Sequence, residues 1–335
     1  MISNQWYVIM ESREVRKDQV VGVTRFGEKL VAWRDHEGKL GLFRDRCPHR
    51  GIELSKGRVK ESHLQCPFHG FEYDISGKCT LIPANGRSSA VPTYIRANAL
   101  TVREAHGFVY AWYTEETDQG TSSADKNLEK VFPELPWFDN LDDSLICSGF
   151  TDDWNAHYSR AIENQLDVVH VPFIHRTTIG RGIGPVVNGP FTRSGENFIQ
   201  FWPFNEDDHG QKPLKPDQIS DPVSKSTFIH FIFPNLWQNH IMDSMRIVVA
   251  FAPIDDNHTR FYLRTYQKMI RIPLLKDVYF LFARLFNRIV LHQDRRVVET
   301  HQPQATSLKM DEHLIPGDYP VILYRKMRER MKEGK

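Results

Sequence analysis

Four side chains that bind metals fall in two short, matched boxes, Cys47-Pro48-His49-Arg50-Gly51 and Cys66-Pro67-Phe68-His69-Gly70, with sixteen residues between His49 and Cys66. Each box can hold one side of a two-iron cluster. Thiolates suit ferric iron and bridging sulfide, while two neutral imidazoles on the other iron remove negative charge and raise the potential above that of an all-cysteine cluster. The prolines stiffen the turns, and Gly51 and Gly70 let backbone N–H groups approach sulfur, which favours the reduced state. A structural zinc site is the competing reading, but it normally pairs Cys with Cys and His with His at short spacing rather than one of each per loop. Cys79 and Cys147 stand outside the boxes and read as ordinary reduced thiols. Four cysteines in 335 residues make no disulfide framework.

A second set of candidates runs from Glu163 to His175. Asn164, Asp167 and His170 stand at i, i+3 and i+6, which predicts roughly one shared helix face. Pro172 is expected to break that helix and let His175 swing back beside His170, so that two imidazoles converge on one metal. Taken alone, a histidine in a partly apolar helix is more often a satisfied core residue. The neighbouring Asn, Asp and second His argue for a site. The third ligand is expected at Asp294, whose helical neighbours Val290, Leu291, Val297 and Val298 put its carboxylate on an apolar face. Such a charge needs a strong partner, either iron or a buried arginine. Asp243 and Glu299 are weaker candidates. His292, Gln293, Arg295 and Arg296 fall on the polar side of the same helix and read as solvated surface. Two histidines and a carboxylate on one face of Fe(2+) leave positions open for O₂ beside a substrate.

The elements that must position these residues divide the chain in two. Residues 1–116 form short runs rich in β-branched and aromatic side chains, broken at turns such as Phe26-Gly27-Glu28 and Ser76-Gly77-Lys78, and predict an antiparallel β domain. Residues 117–127 hold no large apolar side chain and read as a linker. Residues 128–335 predict an α+β domain: helix around Asp153 to Val171, a polar loop near Asn205 to Ser226, strands through STFIHFIFPNLW, RIVVAFAP and TRFYLRTYQ, a long helix from about Leu274 to Glu299, and a basic amphipathic tail from Tyr324. Phe286, Val290, Trp237 and Asn239 are possible pocket walls.

The bulk numbers exclude several functions. With 43 basic against 42 acidic side chains, nothing asks for nucleic acid. The window Leu274–Leu291 holds Lys276, Asp277, Arg284 and Arg288, so it reads as a helix in water, with no membrane anchor. The start, MISNQWYVIM, reads as a first strand rather than a signal peptide, and a cytoplasmic protein is expected. No Gly-rich dinucleotide or nucleoside triphosphate fingerprint is present, so electrons are expected from another protein.

The spacing Cys-x-His, sixteen residues, Cys-x₂-His resembles the Rieske [2Fe–2S] motif of ring-hydroxylating and related oxygenases, and Asn164-x₂-Asp167-x₂-His170-x₄-His175 resembles the iron motif of the same family. The resemblance implies an all-β Rieske domain followed by a helix-grip-like catalytic domain with an antiparallel sheet and a long C-terminal helix. It also implies His170 and His175 as ligands of a mononuclear iron, Asn164 near that iron, and Asp167 as a carboxylate bridging to a cluster histidine of the adjacent subunit in a homotrimer. A separate reductase or ferredoxin would bring electrons from NAD(P)H. The compact second domain resembles the vanillate, dicamba and pheophorbide a oxygenase-like branch, whose members hydroxylate or demethylate. Lacking a transit segment and an anchor, the chain is expected outside chlorophyll chemistry. An electron carrier, or a desaturating or dihydroxylating enzyme on the same scaffold, are the alternatives.

Overall fold

The structure, a computed structural model, describes residues 1–115, 131–220, 222 and 227–334. The linker expected at 117–127 lies wholly outside the described residues. The chain divides into two compact units, Ser3–Leu135 and Met1–Ile2 with Pro136–Lys335.

The first unit is all β. Its strands are β1 (Gln5–Glu11), β2 (Val20–Arg25), β3 (Glu28–Arg34), β4 (Leu40–Arg44), β5 (Arg58–Lys60), β6 (His63–Gln65), β7 (Glu72–Tyr73), β8 (Cys79–Leu81), β9 (Val102–Ala105) and β10 (Phe108–Tyr113). They form three small antiparallel sheets, ordered β1-β10-β9, β2-β3-β4 and β5-β6-β7-β8. The β2–β3 hairpin turns at Phe26 and Gly27, both with positive φ (58° and 78°), which suits the right-handed twist of the flanking strands. Val31, Trp33, Phe43, Leu54, Leu64 and Tyr73 make a core beneath the two metal-binding boxes.

The second unit opens with β11 (Ile146–Trp154) and α1 (Tyr158–Leu166), followed by the single turn α2 (Val171–Ile174). Then come β12 (Val186–Ser194), β13 (Phe198–Glu206), β14 (Phe228–Ile232), β15 (Leu236–Met242), β16 (Met245–Pro253) and β17 (Thr259–Gln267). These strands make one seven-stranded antiparallel sheet in the order β11-β17-β16-β15-β14-β13-β12. The long helix α3 (Pro273–Val298) and α4 (Tyr319–Lys332) complete the unit. The expected α+β class and the long helix are thus present.

Several local expectations change. The helix expected from Asp153 begins only at Tyr158, because Asp153 and Trp154 belong to β11, paired along its length with β17. It ends at Leu166, so Asp167 and His170 do not share a helix face with Asn164. Pro172 does not break the helix either; it lies in the first turn of α2, where its missing N–H costs nothing. The segment STFIHFIFPNLW divides into β14 and β15 around Phe233-Pro234-Asn235, and β13 runs on to Glu206 into the expected polar loop.

Along α3, Phe280, Asn287, Leu291, Asp294 and Val298 are buried at helical spacing and form its inward stripe. The opposite arc is also apolar: Leu274, Leu281, Phe282, Phe286 and Ile289 are exposed. The tail helix is not merely a basic surface. Arg325 is buried and donates to Glu163 at 2.8 and 2.7 Å and to Glu312 at 2.7 Å, tying α4 to α1.

Candidate metal centres

The two Cys/His boxes fold into the same knuckle. In the first, the Gly51 N–H donates to the Cys47 carbonyl (2.8 Å) and the Cys47 N–H to that of Ile52 (2.8 Å). In the second, Gly70 donates to Cys66 (3.1 Å) and Cys66 to Phe71 (2.8 Å). Both glycines sit in the left-handed region, at φ 74° and 72°, where a Cβ would be strained. Cys47 and Cys66 are buried, whereas His49 is exposed and His69 half-buried. The two imidazole rings lie 4.6 Å apart at 68°, and His49 stacks on Phe71. Burial pushes the Cys66 thiol up, while the backbone N–H groups of Phe68 and His69 act against that shift. The Tyr73 hydroxyl lies 3.1 Å from Cys47 Sγ. This donor set fits a cluster with its sulfur side inside and its imidazole side towards solvent.

The second centre is gathered from the two ends of α2, which are His170 and His175, and from Asp294 on α3. Among the described residues, His170, His175 and Asp294 are the group of His, Cys, Asp or Glu side chains whose ligand atoms all lie within 4.8 Å of one another. Asp294 Oδ1 is 2.9 Å from His175 Nε2 and 3.4 Å from His170 Nε2. That oxygen is fully buried with no hydrogen-bond partner among the described residues, as is His170 Nδ1. Two imidazole nitrogens aimed at one orphaned carboxylate oxygen are what a divalent ion would reconcile, so the residues fit iron. Without an ion, burial would raise the Asp294 pKa, but the two histidines hold it at about 2. Burial would likewise lower that of His170, yet Asp167 and Asp294 push it up to about 9.

Asp167 caps the end of α1 in extended conformation. Its Oδ1 accepts the Val169 N–H (2.6 Å), and its Oδ2 lies 3.2 Å from His170 Nδ1, out of line for a hydrogen bond. Asn164 on α1 has a buried Nδ2 with no hydrogen-bond partner among the described residues. The weaker third-ligand candidates are elsewhere: the Asp243 side chain is 84 % exposed beside Arg246, and Glu299 accepts the Asn155 N–H. Trp237 is in the core and donates its indole N–H to the Gln165 carbonyl (2.9 Å), while Phe286 is half-exposed.

Two glutamines escaped the sequence reading. Gln165 Nε2 donates to Asp294 Oδ2 at 3.4 Å. Gln293, expected on a solvated surface, is half-buried, and its Oε1 lies 2.9 Å from His175 Nδ1. The available signal was their position: Gln293 adjoins Asp294 in sequence, and Gln165 adjoins Asn164.

A Cys/His set that would hold a two-iron cluster in one unit, and a two-histidine, one-carboxylate set that would hold a single iron in the other, is the division of labour of Rieske-type non-haem iron oxygenases. Sequence comparison agrees, since residues 5–95 match the Rieske [2Fe-2S] domain and residues 154–334 match the vanillate O-demethylase oxygenase C-terminal domain. The chain belongs to the Rieske oxygenases of the vanillate O-demethylase type. It is 32 % identical to the chloroplastic chlorophyllide a oxygenase of Chlamydomonas reinhardtii over 333 residues, covering 98 % of this chain and 48 % of that protein. The chain spans about a third to a half of the length of the first curated relatives it matches. In fold it resembles NdmA of Pseudomonas putida CBB5 (TM-score 0.74, 23 % identity, 98 % of this chain and 90 % of that one). It also resembles dicamba monooxygenase bound to dicamba (TM-score 0.75, 18 % identity, 99 % and 98 %). The expected distance from chlorophyll chemistry finds no support among these relatives. No helix among the described residues is long and apolar enough to cross a membrane.

Proposed function

We propose that this chain uses O₂ and electrons from a separate reductase or ferredoxin, ultimately from NAD(P)H, to hydroxylate or oxidatively demethylate a small cyclic organic substrate. The observation that carries this reading is the convergence of His170 Nε2, His175 Nε2 and the orphaned Asp294 Oδ1. When bound, the two centres supply one-electron transfer and activation of O₂. The chain's own residues do the rest. Cys47, His49, Cys66 and His69 hold the cluster, with the exposed His49 edge turned to a redox partner. His170, His175 and Asp294 hold the iron, and Asp167 lies against the outer nitrogen of His170 as the carboxylate that links it to the cluster of an adjacent subunit. Asn164 on α1 offers a donor with no partner among the described residues. The choice of a ring-shaped substrate is supported by neighbours of fold solved with caffeine and with dicamba.

The assembly we propose is a homotrimer, and the exposed apolar arc of α3 is a surface of the kind that copies cover. The proposed location is the cytoplasm, whose reducing chemistry suits four unpaired cysteines, although relatives are named as chloroplastic. A plain electron carrier would leave residues 154–334 without a role. Electron paramagnetic resonance of the dithionite-reduced protein, with iron and acid-labile sulfide counted on the same sample, tests the reading. About three irons and two sulfides per chain with a Rieske-type signal support it, and two irons overturn it. Labelled O₂ then separates oxygen insertion from desaturation.

A further inference from the structure

We infer that Gln293 is a positioning residue that fixes the tautomer of His175, presenting the Nε2 lone pair to the metal; this rests on the iron-site reading above. Its amide is itself held in place. Gln293 Nε2 donates to Thr177 Oγ1 at 3.2 Å, and Gln293 Oε1 accepts from Thr178 Oγ1 at 2.7 Å. In this orientation, with the Thr178 hydroxyl shared between Gln293 Oε1 and the His175 carbonyl (3.3 Å), the oxygen that lies 2.9 Å from His175 Nδ1 accepts, which places the proton on Nδ1. The other ring nitrogen, which is 2.9 Å from Asp294 Oδ1, is then left as the donor of an electron pair to a cation. The opposite amide orientation would place the proton on Nε2, aimed at Asp294, and would close the site to metal.

The two histidines are thereby supported differently. His170 has the Asp167 carboxylate at its outer nitrogen, whereas His175 has a neutral amide braced by two threonines. The His175 side therefore carries no ionisable group at this position, and the carboxylate that can respond to charge lies on the His170 side. Gln293 stands one residue from Asp294 on α3, so a single helical segment supplies one ligand and orients another.

The test is a titration of the full chain, cluster intact and mononuclear site emptied with a chelator, with Co(II) under anaerobic conditions, read by the visible bands of the bound ion. Gln293→Leu is expected to weaken Co(II) by about 10- to 100-fold, with the Rieske resonance and the melting temperature unchanged. Gln293→Glu keeps the acceptor and is expected to bind at least as tightly as the wild type. Equal affinity in Gln293→Leu, or equal losses in the Leu and Glu variants, would overturn the inference while leaving the iron site standing. A wild-type chain that takes up no Co(II) at this site would instead overturn the functional reading and this inference with it.

Discussion

Asp294 and Asp167 are both carboxylates beside His170, and their surroundings assign them different work. Asp294 is 3 % exposed, with an oxygen that has no hydrogen-bond partner among the described residues. Asp167 is partly open to solvent and spends one oxygen on a backbone N–H. Asp294→Ala is therefore expected to leave the cluster absorbance intact while iron affinity at the second site falls by at least ~100-fold and turnover is lost. Normal turnover in that variant would move attention to Asp243 or Glu299. Asp167→Asn removes charge without touching a ligand, so both metals should stay bound while coupled turnover falls by about 100-fold. Loss of the second-site iron in Asp167→Asn would show that Asp167 is itself a ligand. At this scale the sequence was informative because each signal was local. A carboxylate on an apolar helix face and two Cys-Pro boxes need no knowledge of the fold. Gln293 and Gln165 were legible only as neighbours of Asp294 and Asn164, because an uncharged amide on a helix looks the same whether it meets water or a ligand on another element.

The elements carry the next two expectations. Between α1 and α4, Arg325 is 4 % exposed and is shared by Glu163 and Glu312, with Arg160 also 2.8 Å from Glu312. Burying these charges costs desolvation that their mutual pairing offsets, and removing Arg325 leaves two carboxylates to share Arg160 alone, with Glu163 only 3.6 Å from it. Arg325→Ala is expected to destabilise the second unit by about 3–5 kcal/mol, read as a lower urea midpoint at unchanged slope. An effect below ~1 kcal/mol would mean that the pairs are screened like surface ones. The second expectation concerns acid. Burial lowers the pKa of His157, the cap of α1, to about 3, and that of His230 in β14 to about 4. In the unfolded chain both titrate near ~6.5. Below that value the unfolded state binds the extra protons, so this contribution to stability is complete above about pH 6.5 and is lost as pH falls towards the folded values. His230 lies edge-on to Phe138 and Phe198, each 5.4 Å away, so His230→Phe keeps a ring there. The melting temperature of that variant should fall less steeply than the wild type's between about pH 6.5 and 4.5; parallel curves would refute the assignment. The break after Leu166 was misread for a related reason. Asn164, Asp167 and His170 have helical spacing, but Asp167 bonds its own backbone two residues on and the β-branched pair Val168-Val169 follows, so local capping prevails over periodicity.

The whole molecule must bring electrons from a cluster to an iron, and the proposed homotrimer does this across a boundary between chains. In a head-to-tail ring each iron is served by the neighbouring subunit's cluster, so the two centres of one chain need not work together. Two inactive variants can then complement each other. Cys66→Ala lacks a cluster but keeps His170, His175 and Asp294; Asp294→Ala keeps the cluster and loses the iron. When the two are co-expressed in equal amounts and assemble at random, an iron-competent subunit meets a cluster-competent neighbour in the productive direction at one interface in four. Reductase-coupled turnover per chain should therefore recover to about a quarter of the wild-type value, while each variant alone stays inactive. Purified variants mixed without dissociating the rings should remain inactive, because no new interface forms. If co-expression also gives nothing, although mass measurement shows mixed trimers, electrons travel within one chain and Asp167 has no partner subunit to reach.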